Sequence, residues 1–205
     1  MKETLIFKID PERIDKKIIL YGARIIRAGG LVAFPTETVY GLAANLLNKD
    51  AVKDLYRVKR RARNKPIAVH IAGPGIIRKM GCRITKDAAA LIKKFWPGPL
   101  TVILKSKKGA NIGFRMPAHN AALALIKKSG VPVVAPSANL SGHASAKSAD
   151  DVLRQLKGKI DVILDGGRTK IGVESTVIDL TKRPPKFLRE GAIKRKDILK
   201  ALSRD

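Results

Sequence analysis

The sequence predicts an α/β protein in which helices pack on an open, twisted, mixed sheet. Short apolar runs typical of strands alternate with segments of helical periodicity along all 205 residues, which is the pattern of an α/β fold. The predicted strands are numerous, and some connections between them are too short for the helical crossover that joins parallel strands. We therefore expect a mixed sheet and not a purely parallel one.

The composition predicts one domain over residues 1–205. Hydrophobic residues make up 45% of the chain, and no apolar stretch approaches the ~18 residues of a membrane span. The N-terminus places charges around a very short apolar run, unlike a secretory signal. A single cysteine, Cys82, excludes an internal disulfide. These features predict a cytoplasmic protein without membrane contact.

Polar caps and glycines predict the helix boundaries. After a strand over residues 4–9, Asp10 and Pro11 match the N-cap and first position of a helix that Gly29 ends. A last helix is expected over residues 194–205. Further helix starts and stops are predicted at Asn48, Thr85, Gly130 and Ser148.

Runs of β-branched and apolar residues predict the remaining strands. They are expected over residues 31–35, 67–71, 100–105, 112–116, 131–136, 161–165 and 175–180. Polar segments border several of these strands. Because ligands bind at the carboxyl ends of strands in open α/β sheets, those segments are candidates for a site.

The chain is strongly basic, with 42 Lys and Arg against 17 Asp and Glu and a formal net charge of +25. Such a charge attracts polyanions. Its cations are spread along the whole chain, and aromatic residues make up only 4%, few for a protein that reads single strands by base stacking. Charge alone therefore predicts weak, salt-sensitive affinity for tRNA or double-stranded RNA.

The segment PTETVYGL (35–42) follows a predicted buried strand and places Thr36, Thr38 and Tyr40 at its carboxyl end. This density of hydroxyl groups favours a ligand site. The alternative is a turn whose threonines satisfy their own backbone.

A basic segment, KRRARNKP (59–66), carries Lys59, Arg61 and Lys65. On its own it is typical of a solvated helix end, where cations favour the helix dipole. Its place between a helix and a strand favours an anion site. His70 lies inside the following strand, either as a core imidazole or as a ligand contact.

The segment PSANLSG (136–142) follows another strand, and its Ser137 and Asn139 offer donors for phosphate or ribose oxygens, with Ser145 just beyond. An ordinary polar loop is the alternative. Neither a Walker loop nor a G-x-G-x-x-G fingerprint occurs, so the common nucleotide folds are not indicated.

Three further segments border strands. They contain Arg115 in GFRMPAH (113–119), Ser175 in VESTVIDL (173–180) and Arg189 in LREGAI (188–193). Either arginine could equally form a surface ion pair.

Taken in order, these segments together with WPGPLT (96–101) resemble the YrdC-like threonylcarbamoyl-AMP synthase family, from about residue 18 to 195. The order of the segments carries the resemblance, and the chain is similar to the short, single-domain form. The family commonly reads K-G-R-P in the basic segment, where this chain has Arg60 for the glycine and Ala62 for the proline.

The resemblance implies the first step of N6-threonylcarbamoyladenosine modification at tRNA position 37. Threonine, bicarbonate and ATP would give threonylcarbamoyl-AMP and pyrophosphate, and separate proteins would transfer the group to tRNA. Mg²⁺ is expected with ATP, although no dedicated carboxylate cage is visible and no metal ligand is predicted.

The resemblance also implies roles for the candidate residues. Threonine would be contacted by Thr38, His70 and Ser175, with Arg115 on its carboxylate. ATP would be held by Arg61, Lys65, Ser137, Ser145 and Arg189, to which Asn139 is added for its donors. Lys59 and Arg61 would be the catalytic cations, because charge builds on the α-phosphate and the leaving pyrophosphate.

Two other functions are considered. An RNA-binding or ribosome-assembly protein would use a basic concave surface, as the net charge suggests. The carbamoyl-transfer module of hydrogenase-maturation proteins is disfavoured, since it lies within a much longer multidomain chain.

Overall fold

The computed structural model describes residues 3–203, which form ten strands and seven helices. The strands are β1 (Leu5–Lys8), β2 (Val32–Phe34), β3 (Gly41–Asn45), β4 (Val69–His70), β5 (Leu100–Lys105), β6 (Asn111–Arg115), β7 (Val133–Val134), β8 (Val162–Asp165), β9 (Thr176–Asp179) and β10 (Lys186–Arg189). The helices are α1 (Lys16–Arg27), α2 (Lys49–Val58), α3 (Gly75–Lys79), α4 (Lys86–Phe95), α5 (Asn120–Ser129), α6 (Ala149–Leu156) and α7 (Arg195–Leu202).

The strands form one open sheet in the order β1-β8-β2-β3-β7-β4-β6-β5-β9-β10. Strand β8 pairs in parallel with β1 and β2, and the pairs β4–β6 and β5–β9 are also parallel. The other five pairs are antiparallel. The predicted mixed sheet is thus confirmed.

Helices cover both faces of the sheet. On one face, Ile19 and Ile26 of α1 pack with Leu125 of α5. On the other face, α2, α4, α6 and α7 contribute to a larger cluster that includes Leu55 and Leu91. Both leucines are fully buried, and burying each contributes about 1.5–3 kcal/mol. Within residues 3–203, no helix is long and apolar enough to cross a membrane.

Most predicted helix caps are confirmed. The side chains of Asn48, Thr85 and Ser148 accept hydrogen bonds from the first turns of α2, α4 and α6, and Gly130 ends α5 in the left-handed conformation. The start of α1 was predicted wrongly.

Asp15, and not Asp10, is the N-cap of α1. The carboxylate of Asp10 instead accepts a hydrogen bond from the Glu12 amide at 2.8 Å, so it closes a local turn. Such turns compete with helix capping for aspartate side chains. Of the predicted last helix, residues 195–202 are helical, whereas Arg204 and Asp205 lie outside the described residues.

Arg60 ends helix α2 with a backbone conformation that normally belongs to glycine. Its φ is +50°, the only positive φ outside glycine among residues 3–203. The amide of Arg61 donates to the Tyr56 carbonyl at 2.9 Å, and the amide of Arg60 to the Arg57 carbonyl at 3.0 Å. This is the Schellman pattern, which needs a left-handed residue at Arg60. The family's usual glycine here is therefore explained by the helix end.

We expect Arg60→Gly to stabilise the protein by up to about 1 kcal/mol, because it removes the left-handed penalty while adding some unfolded-state entropy. Urea unfolding midpoints at unchanged m measure the effect. The control, Arg63→Gly in the same exposed segment, should destabilise by about 0.4–1 kcal/mol. If both substitutions destabilise equally, the backbone at Arg60 is not strained.

Candidate active site

Lys59 joins the two segments that carry the predicted ATP-binding residues. It follows the last turn of α2, and its side chain is almost completely buried. The ammonium donates to the carbonyl of Ser137 and to that of Asn139 at 2.5 Å. In return, the Ser141 amide donates to the Lys59 carbonyl at 2.8 Å. The ammonium therefore fixes the backbone of segment 136–142 by binding its carbonyls, in addition to carrying charge.

The surroundings of Lys59 disfavour its charged form. Burial, together with the nearby charge of Arg61, lowers the pKa of the Lys59 ammonium to about 8, and Glu174 partly opposes this shift. No carboxylate within the described residues forms a salt bridge with Lys59 or Arg61. These two cations are thus left without an acidic partner, as an anion site requires.

Arg61 and Lys65 belong to a compact turn after α2. Arg61 donates from Nε to the Lys65 carbonyl and from Nη2 to the Pro66 carbonyl, both at 3.0 Å. The Tyr56 hydroxyl also donates to the Lys65 carbonyl at 3.0 Å. The Lys65 side chain is exposed. Arg61 braces this turn, and its charge also acts on Arg189.

Arg115 ends β6 inside a buried ion pair that the sequence did not predict. Its Nη2 donates to Glu37 Oε1 at 2.9 Å and to Thr38 Oγ1 at 2.7 Å. The side chains of Arg115 and Glu37 are only 6% and 7% exposed. The surface alternative considered for Arg115 is therefore wrong, and Arg115 and Thr38, both predicted to contact threonine, lie in direct contact.

His70 lies beside Arg115, since β4 and β6 pair with these two residues in register. Burial and the charge of Arg115 lower the pKa of His70 to about 3, so its imidazole is neutral near pH 7. Its Nδ1 is buried without a hydrogen-bond partner. A neutral imidazole with a free nitrogen suits recognition of a hydroxyl group more than of an anion.

Glu174 connects Ser145, Arg189 and Ser175 at the start of β9. Its Oε1 accepts from the Ser145 hydroxyl at 2.8 Å, and its Oε2 pairs with Arg189 Nη1. Arg189 also donates to the Ser175 carbonyl at 2.9 Å and to Ser175 Oγ at 3.2 Å. Ser175 Oγ in turn lies 3.0 Å from Thr101 Oγ1. A predicted ATP residue and a predicted threonine residue thus share a hydrogen bond.

Thr176 and Gly191 fix the segment that presents Arg189. The Thr176 hydroxyl donates to the Ile193 carbonyl at 2.6 Å and accepts from the Gly191 amide at 2.9 Å. A Cβ on Gly191 would collide with the backbone of Glu174 and Ser175. Only glycine permits this close approach.

Three polar residues of the predicted segments use their side chains for hydrogen bonds to loop carbonyls. Thr36 Oγ1 donates to the Val39 carbonyl at 2.7 Å, and the Tyr40 hydroxyl donates to the Gly167 carbonyl at 2.7 Å. Thr36 follows the turn alternative, whereas the Tyr40 hydroxyl bonds a distant loop. The amide nitrogen of Asn139 donates to the carbonyls of Leu140 and His143, while its Oδ1 is buried without a partner.

Sequence reasoning gave no role to Glu37 or Glu174. Each lies directly before a predicted residue, Thr38 or Ser175, inside a segment selected for its hydroxyl groups. An isolated acid among so many cations was the available signal. Their arginine partners are 78 and 15 residues away, which no local pattern indicates.

An open mixed sheet with buried hydroxyl groups and five cations on its loops and strand ends, namely Lys59, Arg61, Lys65, Arg115 and Arg189, is typical of a YrdC-like α/β domain. The chain belongs to the Sua5/YciO/YrdC family, since residues 24–191 match the family model described as "Telomere recombination". The matched region contains every candidate site residue.

Curated relatives agree with this assignment. The chain is 46% identical over 200 residues to a threonylcarbamoyl-AMP synthase of Pyrococcus abyssi, covering 93% of this chain and 59% of the relative. A Bacillus subtilis protein of the same name is 45% identical over 190 residues, covering 88% and 55%. The chain therefore spans less than two thirds of the length of these relatives.

A solved structure has the same fold. The crystal structure of P. abyssi Sua5 complexed with L-threonine superimposes with a TM-score of 0.92 at 45% identity, covering 97% of this chain and 61% of that one.

We predict that the Lys59 ammonium titrates near pH 8 and that its neighbours shift its pKa in opposite directions. Arg61→Ala should raise this pKa, because a nearby positive charge is removed, and Glu174→Gln should lower it. Side-chain ¹³Cε NMR of labelled lysine, assigned with Lys59→Met, measures the titration. An unshifted value above pH 10 in the wild type would contradict the burial described.

Proposed function

We propose that the chain is an L-threonylcarbamoyladenylate synthase, an enzyme that forms threonylcarbamoyl-AMP and pyrophosphate from threonine, bicarbonate and ATP. The names of its curated relatives support this activity, as does the threonine complex of P. abyssi Sua5. The observation that carries the proposal is the hydrogen bond from Arg189 to Ser175, because it joins the proposed ATP and threonine sites. The threonine carbamate and the α-phosphate of ATP would therefore meet near the contact between Arg189 and Ser175.

The reaction requires two steps and no covalent enzyme intermediate. The threonine amine captures bicarbonate, or its dehydrated form, as a carbamate, with loss of water from bicarbonate. A carbamate oxygen then attacks the α-phosphorus of ATP, and the bond to pyrophosphate breaks. An enzyme lowers the entropic part of the barrier by holding the three substrates together, with the carbamate oxygen and the leaving pyrophosphate on opposite sides of the α-phosphorus.

The chain's own groups match these demands. Lys59 and Arg61, which lack acidic partners, would supply positive charge where it develops on the phosphates. Lys65, Ser137, Asn139, Ser145 and Arg189 are the further proposed ATP contacts. Arg115, whose Nη2 is held by Glu37 and Thr38, would contact the threonine carboxylate through the rest of its guanidinium.

Selection of threonine over valine would rest on hydroxyl recognition. Thr38, Ser175 and the neutral His70 present polar groups in a buried region. An isostere without the hydroxyl would leave one of them unsatisfied, which discriminates strongly against it.

Mg²⁺ would neutralise phosphate charge when bound with ATP. Within residues 3–203, no three acidic, His or Cys side chains are grouped to hold a metal. Phosphate oxygens and water would therefore be most of its ligands, which is usual for Mg²⁺. Glu174 is an accessible carboxylate that contacts the proposed ATP residues Ser145 and Arg189, so one protein ligand fits.

RNA affinity is proposed as a secondary property. The +25 net charge supports it, as does the expectation that downstream proteins transfer the product's threonylcarbamoyl group to tRNA.

We expect purified protein to release pyrophosphate from ATP only when threonine and bicarbonate are both present. Arg61→Ala should lower this rate at least about 100-fold, since a charge that stabilises the transition state is lost. Arg63→Ala, in the same segment but outside the proposed contacts, is the matched control. Release with valine, or without bicarbonate, at the threonine rate would refute the proposed activity.

RNA binding should be separable from catalysis. Arg61→Ala and Ser137→Ala should retain affinity for a tRNA transcript while losing activity, and the association constant should fall steeply with salt. Filter binding at several salt concentrations measures both properties. Loss of RNA affinity together with activity would place RNA at the catalytic site instead.

A further inference from the structure

The Glu174 carboxylate occupies the donors that would hold ATP. Its two oxygens accept from Ser145 Oγ at 2.8 Å and from Arg189 Nη1. The remaining guanidinium nitrogens of Arg189 are engaged by the carbonyl and hydroxyl of Ser175. Ser145 has one hydroxyl proton, which is given to Glu174. The Ser145 hydroxyl therefore becomes a donor to ATP only if Glu174 finds another partner, and the same change releases the Nη1 hydrogen of Arg189 that is given to Glu174.

A cation is the partner that the chemistry of Glu174 requires. A carboxylate left beside a triphosphate repels it unless positive charge lies between them. Backbone carbonyls hold Lys59 and Arg61 in place, and their charge is already assigned to the α-phosphate and the leaving pyrophosphate, so a further cation is needed beside Glu174. Mg²⁺ commonly joins one or two carboxylates to substrate phosphates.

Of the two acids that pair with arginines of the proposed site, Glu174 is the accessible one. Its side chain is 29% exposed, whereas that of Glu37 is 7% exposed and paired with Arg115. The backbone of Glu174 is also fixed, since its carbonyl accepts from the Ala192 amide at 2.9 Å. A rotation of the side chain alone would move the carboxylate.

We propose that Glu174 is the protein ligand for the Mg²⁺ of MgATP, and that Ser145 and Arg189 hold this carboxylate until the nucleotide binds. This inference rests on the proposed ATP site. On binding, Glu174 exchanges Ser145 and Arg189 for the metal ion, and both donors become free for oxygens of the nucleotide.

The test measures how Mg²⁺ and Glu174 affect ATP affinity together. ATP is titrated calorimetrically into wild-type protein and Glu174→Gln, each with Mg²⁺ and with EDTA, in the absence of threonine and bicarbonate so that no turnover occurs. We expect Mg²⁺ to tighten ATP binding by the wild type at least about fivefold more than by the variant. In EDTA, the variant should bind ATP more tightly than the wild type.

Glu190→Gln is the matched control, because it removes an exposed negative charge from the neighbouring segment without touching this network. It should keep the wild-type response to Mg²⁺. As a second readout, the electron paramagnetic resonance spectrum of Mn²⁺ bound with ATP should change in Glu174→Gln and be largely restored in Glu174→Asp.

Equal Mg²⁺ responses in the wild type and Glu174→Gln overturn the inference, even when pyrophosphate release still depends on threonine and bicarbonate. In that case the proposed function stands. Absence of any ATP binding by the wild type overturns both.

Discussion

One buried ammonium organises the centre of this molecule. Lys59 ties the end of α2 to the carbonyls of Ser137 and Asn139, segments separated by 78 and 80 residues of chain. Burying an ammonium is costly unless it has hydrogen-bond acceptors, so these carbonyls must point at it. Their convergence brings segment 136–142 close to segment 59–66. Ser141, whose amide donates to the Lys59 carbonyl, is held at the same junction.

Charge balance around that centre is uneven. Two arginines of the proposed site have their own carboxylates, Glu37 for Arg115 and Glu174 for Arg189. A buried pair contributes little net stability, so its value here lies in fixing where each guanidinium points. Lys59 and Arg61 have no such carboxylate partner within the described residues, and their positive charge is available to a bound anion.

Sequence analysis predicted the features that depend on residues close together in the chain. The caps at Asn48, Thr85 and Ser148 involve neighbours within three residues, and the seven ordered segments revealed the family. It missed β3, whose GLAAN sequence lacks β-branched residues, and β10, which forms by pairing with β9. It also gave no role to Glu37 or Glu174, because a carboxylate's partner is decided by the folded sheet and not by its flanking residues.

The contacts of Thr176 and Gly191 hold the end of β10 independently of the turn before it. Arg189 is positioned by hydrogen bonds to residues 174–176 and not by the length of the chain between β9 and β10. That turn, residues 181–185, can therefore diverge or accept insertions among homologues while the arginine stays in place. The sequence of the turn between β9 and β10 is therefore free to change, provided that Thr176, Arg189 and Gly191 are kept.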